Sequence, residues 1–149
     1  MNINNKKKIS TLKRLFFLVS VFIAVISLVL FLIDLLYGII SIGIFSLWYL
    51  YFHVVDYQFI EFSDDENKIL LRYYKAVRFG RGEYNSIEFP QALLFQANFE
   101  NSVFGKLTDL TIVIKTKRGP AEYPSVSLTA LPKEDRIKIK ESLSEIINK

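Results

Sequence analysis

The sequence has no cysteine and a single histidine, His53. Without cysteine there is no disulfide framework, no thiolate metal site and no cysteine nucleophile. A lone histidine has no partner with which to form a catalytic or metal-binding group. The run Gly80-Arg81-Gly82 lacks the spacing and the following Lys-Ser/Thr of a phosphate-binding loop. We therefore expect no enzyme, no cofactor and no metal ion.

Charge is almost absent between residues 15 and 55, where Asp34 is the sole charged residue. One helix of that length would rise about 61 Å, twice the ~30 Å core of a bilayer. Two spans with a turn between them fit, so the sequence predicts a transmembrane helical hairpin over residues 15–55. A signal peptide is disfavoured because the first apolar run is too long, no A-x-A-like site follows and a second apolar run comes directly after.

Basic residues are concentrated in the segment 1–14, which contains Lys6, Lys7, Lys8, Lys13 and Arg14. Lys and Arg next to a first span stay in the cytoplasm, so a two-span hairpin places both termini there. Acids and bases balance over residues 56–149. We therefore interpret 1–14 as a basic cytoplasmic tail and expect no nucleic-acid partner, since nucleic-acid binding needs a basic face on the domain itself.

Asp34 and the aromatic residues indicate how the hairpin sits in the bilayer. Asp34 is expected at the turn, where a carboxylate costs little; an intramembrane ion site would need a partner that the spans lack. Trp and Tyr favour the membrane–water interface. The predicted interface residues are Tyr37, Trp48, Tyr49 and Tyr51, with His53 at the edge of this belt.

Small side chains recur in both spans at helical spacing. They allow helix backbones to approach closely in lipid. They pack either the two spans of one hairpin or two copies of the chain, and the sequence leaves both alternatives open. The residues are Ser20, Ala24, Ser27, Gly43 and Ser46.

After Val55 the pattern changes to the two-residue period of β-strands, and one amphipathic helix follows. The helix is predicted from Pro132, with Ile139, Leu143, Ile146 and Ile147 on one apolar stripe. Pro124 favours an edge strand or a bulge. The predicted strands cover 57–62, 68–79, 86–89, 93–99, 107–116 and 123–128.

This order of strands and a single C-terminal helix resembles bacterial pleckstrin-homology-like (PH-like) domains. The resemblance covers residues 56–149 and is closest in VSLTALPKEDRIKIKESLSEI and in NSVFGK before LTDLTIVIK. Pro132 departs from the Ser or Thr helix cap usual in the family. The resemblance implies an α+β fold: a two-helix transmembrane hairpin, then a small antiparallel β-barrel or sandwich capped by a C-terminal helix, in a bacterial inner membrane.

The interval 68–81 contains five basic residues and no acid. Anionic headgroups attract such residues. The candidate binding residues are Arg72, Lys75, Arg78 and Arg81, and the alternative is a solvated strand face paired with the acids of the domain.

Two function classes remain. The first is a non-enzymatic, membrane-anchored binding or scaffolding module that holds a protein partner, its own copies or anionic headgroups at the cytoplasmic face. The second is a small transport or channel accessory subunit, whose two spans assemble with other membrane helices.

Overall fold

The chain is an α+β protein, described by a computed structural model over residues 1–77 and 83–149. Two long apolar helices come near the N-terminus, antiparallel sheets follow, and an α-helix ends the chain. A short 3₁₀ turn, Gln91–Leu93, precedes β5. The elements are β1 Asn2–Asn4, α1 Lys6–Ile33, α2 Leu35–Val55, β2 Gln58–Ser63, β3 Lys68–Lys75, β4 Asn85–Pro90, β5 Leu94–Ser102, β6 Leu107–Thr116, β7 Gly119–Glu122, β8 Val126–Ser127 and α3 Lys133–Ile147.

Helices α1 and α2 are long and apolar enough to cross a membrane. Asp34 is the one residue between them, and its carboxylate accepts a hydrogen bond from the amide of Leu36 at 2.7 Å. An acceptor at this position satisfies one of the free amides at a helix start. The prediction that Asp34 lies at the turn is confirmed.

The first sheet has the strand order β1-β2-β3-β4, all antiparallel. Strand β1 pairs with β2 in the register Ile3↔Phe62, although the whole hairpin lies between them in sequence. The segment interpreted as a tail therefore contributes a strand to the sheet, and α1 begins at Lys6, well before the predicted start of the first span.

The second sheet is built on β6, which pairs with β5, β7 and β8. Of the predicted strand over 123–128, only Val126–Ser127 forms a strand, β8; Pro124 lies in the gap between β8 and β7, which ends at Glu122. Among the described residues no strand joins the two sheets into a closed barrel. The arrangement is two sheets over a shared core.

One hydrophobic core lies between the two sheets and α3. Alternate residues of each strand point into it, as the pleat requires. Ile139 and Leu143 of the predicted stripe are fully buried there, whereas Ile147 is 39% exposed. The buried core residues are Ile3, Ile60, Phe62, Ile69, Leu71, Ile87, Phe89, Leu94, Leu110, Ile112, Val126, Leu128, Leu131, Ile139 and Leu143.

Candidate functional site at the helix–domain junction

Asn5 joins the first helix to the sheet. Its side-chain amide donates to the carbonyl of Gln58 at 2.9 Å, and its side-chain carbonyl accepts from the amide of Ile60 at 2.8 Å. Asn5 is 5% exposed, and its backbone amide also donates to the carbonyl of Ile60. The side chain thus extends the ladder of β1 and β2 by one step while the backbone turns into α1.

The first turns of α1 pack directly on the domain. Ile9 is 1% exposed and contacts a small buried cluster with Phe59, Ala76 and Ala130. Because α1 is fixed by this cluster and α2 runs into β2 within three residues, the hairpin and the domain meet without a flexible linker on either side.

Aromatic rings fill the space between the two helices at the same level. Phe16 stacks on Trp48 with ring centroids 6.4 Å apart, and Phe52 lies 5.0 Å from Phe16 and 4.8 Å from Trp48. Phe52 also meets Tyr57 edge-on at 5.8 Å, just beyond the helix end. Such tilted and stacked pairs stabilise a fixed geometry. These aromatic contacts pack this end of the hairpin directly against the domain.

A groove of about 530 Å³ opens at this junction. The end of α2 forms one wall, and β2, β3 and the start of β4 form the other. Most of its lining is aromatic or polar. The lining residues are Tyr49, Phe52, His53, Asp56, Tyr57, Gln58, Tyr73, Tyr74, Lys75, Val77, Glu83 and Asn85.

The junction groove contains both positively and negatively charged groups. Lys75 lies 3.7 Å from the carboxylate of Asp56, which also accepts from the side-chain amide of Gln58 at 2.7 Å. The other polar atom of that amide, Oε1 of Gln58, is buried and has no hydrogen-bond partner within the described chain. Buried acceptors are normally paired. A donor supplied from outside the chain would satisfy it.

Tyr57 stays neutral in this setting. Burial raises its pKa to about 12, and the contact between its hydroxyl and that of Tyr51, 3.4 Å apart, acts in the same direction. The groove therefore presents phenol hydroxyls, which donate and accept hydrogen bonds, rather than phenolates.

Of the four candidate basic residues, Arg72 and Lys75 lie in the described part of the chain and line different hollows. Lys75 lies in the junction groove, whereas Arg72 lines a neighbouring hollow and is 3.4 Å from Glu61. Lys68, on the same strand, is 3.4 Å from Glu88. Each of these cations has a carboxylate beside it on an adjacent element. Arg78 and Arg81 lie outside the described residues.

The candidate interface residues lie at two levels of α2. Tyr37 is in its first turn and 53% exposed. Trp48, Tyr49 and Tyr51 lie near its other end, where Trp48 is half-buried against α1 and Tyr49 stacks on His53 at 6.3 Å. Tyr49 also lines the junction groove.

The candidate helix-packing residues divide into two groups. Ser27 is buried between the helices, and the hydroxyl of Ser20 is buried there too. Ala24, Gly43 and Ser46 are exposed on the outer surface of the pair. At the turn end Gly38 packs closely against α1, since an added Cβ would overlap the ring of Phe31.

Sequence reasoning missed strand β1 and Asn5. A stretch of three residues with one apolar side chain carries too little periodicity to predict a strand, and its partner lies beyond the hairpin. It also missed the pairing of the strand cations with acids, because this depends on register. Within the described residues no group of His, Asp or Glu is arranged to hold a metal ion.

Comparison with protein-family models, with curated proteins and with solved structures yields no match for this chain.

Proposed function

We propose that the chain is an integral protein of a bacterial inner membrane, with both termini in the cytoplasm. In this proposal it is a non-enzymatic binding module. Its domain, PH-like in its order of antiparallel strands and one C-terminal helix, is held against the membrane face, and the junction groove receives a phospholipid headgroup.

The membrane assignment rests on the outer surface of the hairpin. Large apolar side chains cover it and are solvent-exposed within the chain; Leu28 is 67% exposed, Leu32 89% and Leu47 68%. Soluble proteins rarely expose contiguous apolar patches larger than a few hundred Å². A lipid environment removes this cost.

One observation carries the binding proposal: both ends of the hairpin are built into a single sheet. Strand β1 leads into α1, α2 leads into β2, and β1 pairs with β2. If the helices span the bilayer, the groove beside the end of α2 stays at the level of the headgroups. A ligand there benefits from the high local concentration of lipid.

The chemistry of the groove suits a headgroup that bears a phosphate. Lys75 supplies a cation, and the hydroxyls of Tyr57 and Tyr73 supply donors. The unpaired acceptor of Gln58 and the carboxylate of Asp56 suit an amine or hydroxyl on the same headgroup. The two signs in one groove favour a headgroup that carries both.

The transport alternative gains no support from the polar groups of the helices. The hydroxyls of Ser27, Ser41 and Ser46 donate to carbonyls of their own helices, at 2.8, 2.7 and 3.0 Å respectively. These three hydroxyls are already satisfied; the hydroxyl of Ser20 is buried without a partner in the described chain, and a single such group does not by itself make a path.

The proposal is tested by photocrosslinking in native membranes. A photoreactive amino acid replaces Asn85, which lines the groove, and in a matched control replaces Glu88, which is exposed further along the same strand. We expect a phospholipid adduct, identified by mass, at residue 85 and none at residue 88. A protein adduct at 85 would favour the partner-holding version, and equal lipid labelling at both sites would contradict headgroup binding in the groove.

A further inference from the structure

The turn between β5 and β6 exposes two apolar side chains at its tip. Val103 is 58% exposed and Phe104 is 104% exposed, so neither side chain is covered by the described part of the chain. Three successive residues of this turn have positive φ: Val103 at 51°, Phe104 at 55° and Gly105 at 77°. A β-branched residue rarely adopts this conformation. The backbone therefore holds both side chains outward at a conformational cost.

The contacts of the β5–β6 hairpin show which end of the domain this tip faces. The open end of the hairpin lies away from the helices. There Leu94 pairs with Ile114, and Gln91, just before β5, forms hydrogen bonds with the turn that contains Asp64 and Asn67. That turn follows the end of β2 that lies away from α2.

The other end of the hairpin lies at the helix–domain junction. The amide of Thr108 donates to the hydroxyl of Thr129 at 3.2 Å, and the next residue, Ala130, is in the buried cluster with Ile9 of α1. Asp109 lies close enough to Asp56, the C-cap of α2, for their charges to interact. The strands therefore run toward the junction, and the 103–106 turn projects past it on the side from which the helices leave.

The tip of the turn extends towards the aromatic belt of α2. From Asp109 the strand pair continues for two residues to the pair Leu107 and Ser102, a projection of roughly 7 Å at ~3.3 Å per residue, and the 103–106 turn extends beyond it. Trp48 precedes Asp56 by a helical rise of about 12 Å. Phe104, at the tip of the turn, thus extends from the junction towards the level of Trp48 and Tyr49, which lie at the bilayer surface under the proposed function.

Lysine side chains lie in and beside the tip of the turn. Lys106 is exposed in the turn itself, and Lys133 and Lys140 on the adjacent face of α3 line a hollow of about 250 Å³ beside it. Ile137, 54% exposed, lines the same hollow. An apolar point flanked by lysines is the pattern of surfaces that insert among anionic or zwitterionic headgroups.

We infer that the turn Val103–Lys106 is a second membrane contact, in which Phe104 inserts at the boundary between headgroups and acyl chains and Lys106 and Lys133 meet lipid phosphates. This rests on the proposed function, since it takes the hairpin to be in the bilayer. With the hairpin it would fix the tilt of the domain on the membrane.

The absence of cysteine makes single-site labelling of the full chain straightforward. The full-length protein is reconstituted in vesicles of phosphatidylethanolamine and phosphatidylglycerol with an environment-sensitive fluorophore on Val103→Cys, which leaves Phe104 in place. Matched labels on Lys117→Cys, in the exposed turn at the opposite end of β6, and on Leu28→Cys, on the lipid-facing side of α1, serve as references.

We expect a blue-shifted emission at residue 103 and quenching by lipids that carry the quencher near the headgroup. Residue 117 should show neither effect, and residue 28 should be quenched by lipids labelled deep in the acyl chain. Adding Phe104→Ser to the Val103→Cys protein should abolish the shift while Trp48 emission, which reports the helix junction, stays unchanged.

The references separate the two possible failures. If residue 28 is quenched but residue 103 behaves like residue 117, the tip does not touch lipid and the inference is wrong while the hairpin stands. If residue 28 is not quenched, the hairpin is not in the bilayer and the proposed function is wrong.

Discussion

At the scale of single residues, the junction depends on side chains that replace backbone hydrogen bonds. Asn5 bridges a break in the ladder between a strand and a helix, and it is buried with both polar atoms of its amide paired. The sequence predicts nothing about Asn5, because an asparagine beside a lysine run is typical of a solvated tail. Its role depends on a partner strand more than fifty positions away.

Asn5→Ala should destabilise the protein by ~1–3 kcal/mol, because it leaves the amide of Ile60 and the carbonyl of Gln58 buried without partners. Chemical unfolding in detergent, followed by the fluorescence of the single tryptophan, Trp48, measures this. Asn2→Ala, at an exposed position of the preceding strand β1, is the control and should change little. Equal effects of the two changes would contradict the bridging role.

Asp109 makes stability depend on pH. Burial, and secondarily the negative charge of Asp56, raise its pKa above the usual value for an aspartate, against the opposing hydrogen bond from Ser127. The folded state therefore holds this proton more tightly than the unfolded state does. The stability that Asp109 contributes is present at low pH and lost as pH rises through the folded pKa.

Asp109→Asn should accordingly raise the thermal midpoint at pH 7, with the gain shrinking as pH falls towards the ordinary aspartate pKa of about 4. Melting curves of both proteins in the same detergent across this range measure the difference. Glu122→Gln, on the exposed strand β7, should show no such trend. A gain that is constant across the range would mean that ionisation of Asp109 is not its cause.

At the scale of elements, the regular alternation of apolar and polar residues predicted the strands well. The bounds of β6, Leu107–Thr116, coincide with the predicted strand, and α3 begins directly after Pro132. Strand β1 was missed because three residues are too few to show a period. The predicted strand over 123–128 is reduced to β8, Val126–Ser127, and Pro124 lies in the gap before it. The cations of β3 lie opposite acids because of the register between β2, β3 and β4. The alternation of apolar and polar residues does not determine that register.

The packing of the two helices can be tested with a matched pair of variants, because Gly38 and Gly43 lie on the same helix in different surroundings. Gly38→Ala should disturb the hairpin because its Cβ would overlap the ring of Phe31, whereas Gly43 has open space around its Cβ position. Overpacking of this kind costs ~1–3 kcal/mol. Gly43→Ala should be neutral or slightly stabilising, because alanine favours the helix.

Thermal unfolding in detergent, read from Trp48 emission, distinguishes the two glycine variants. Adding Phe31→Ala to Gly38→Ala should recover part of the loss, because it removes the ring that the new methyl group meets. If Gly43→Ala is the more harmful change, the outer face of α2 is itself a contact surface, as expected for pairing between copies of the chain.

At the scale of the whole molecule, the pairing of β1 with β2 constrains the topology more strongly than charge does. Residues 2–4 and 58–63 are neighbouring strands of one sheet, so they lie on one side of any membrane that the hairpin crosses. The basic residues of α1 then choose the side: Lys and Arg favour the cytoplasm. These two arguments are independent, and an experiment that locates both strands and the turn tests them separately.

Single cysteines introduced at Asn2, Leu35 and Lys117 provide that experiment in the cysteine-free chain. In intact cells a membrane-impermeant maleimide should label Leu35→Cys, beside the hairpin turn, and should label Asn2→Cys and Lys117→Cys only after permeabilisation. Labelling of residues 2 and 117 from outside, with 35 protected, would reverse the orientation but leave the fold intact. Labelling of residues 2 and 117 from opposite faces would contradict the fold, because β1 would then be separated by the membrane from the sheet in which its Ile3 pairs with Phe62.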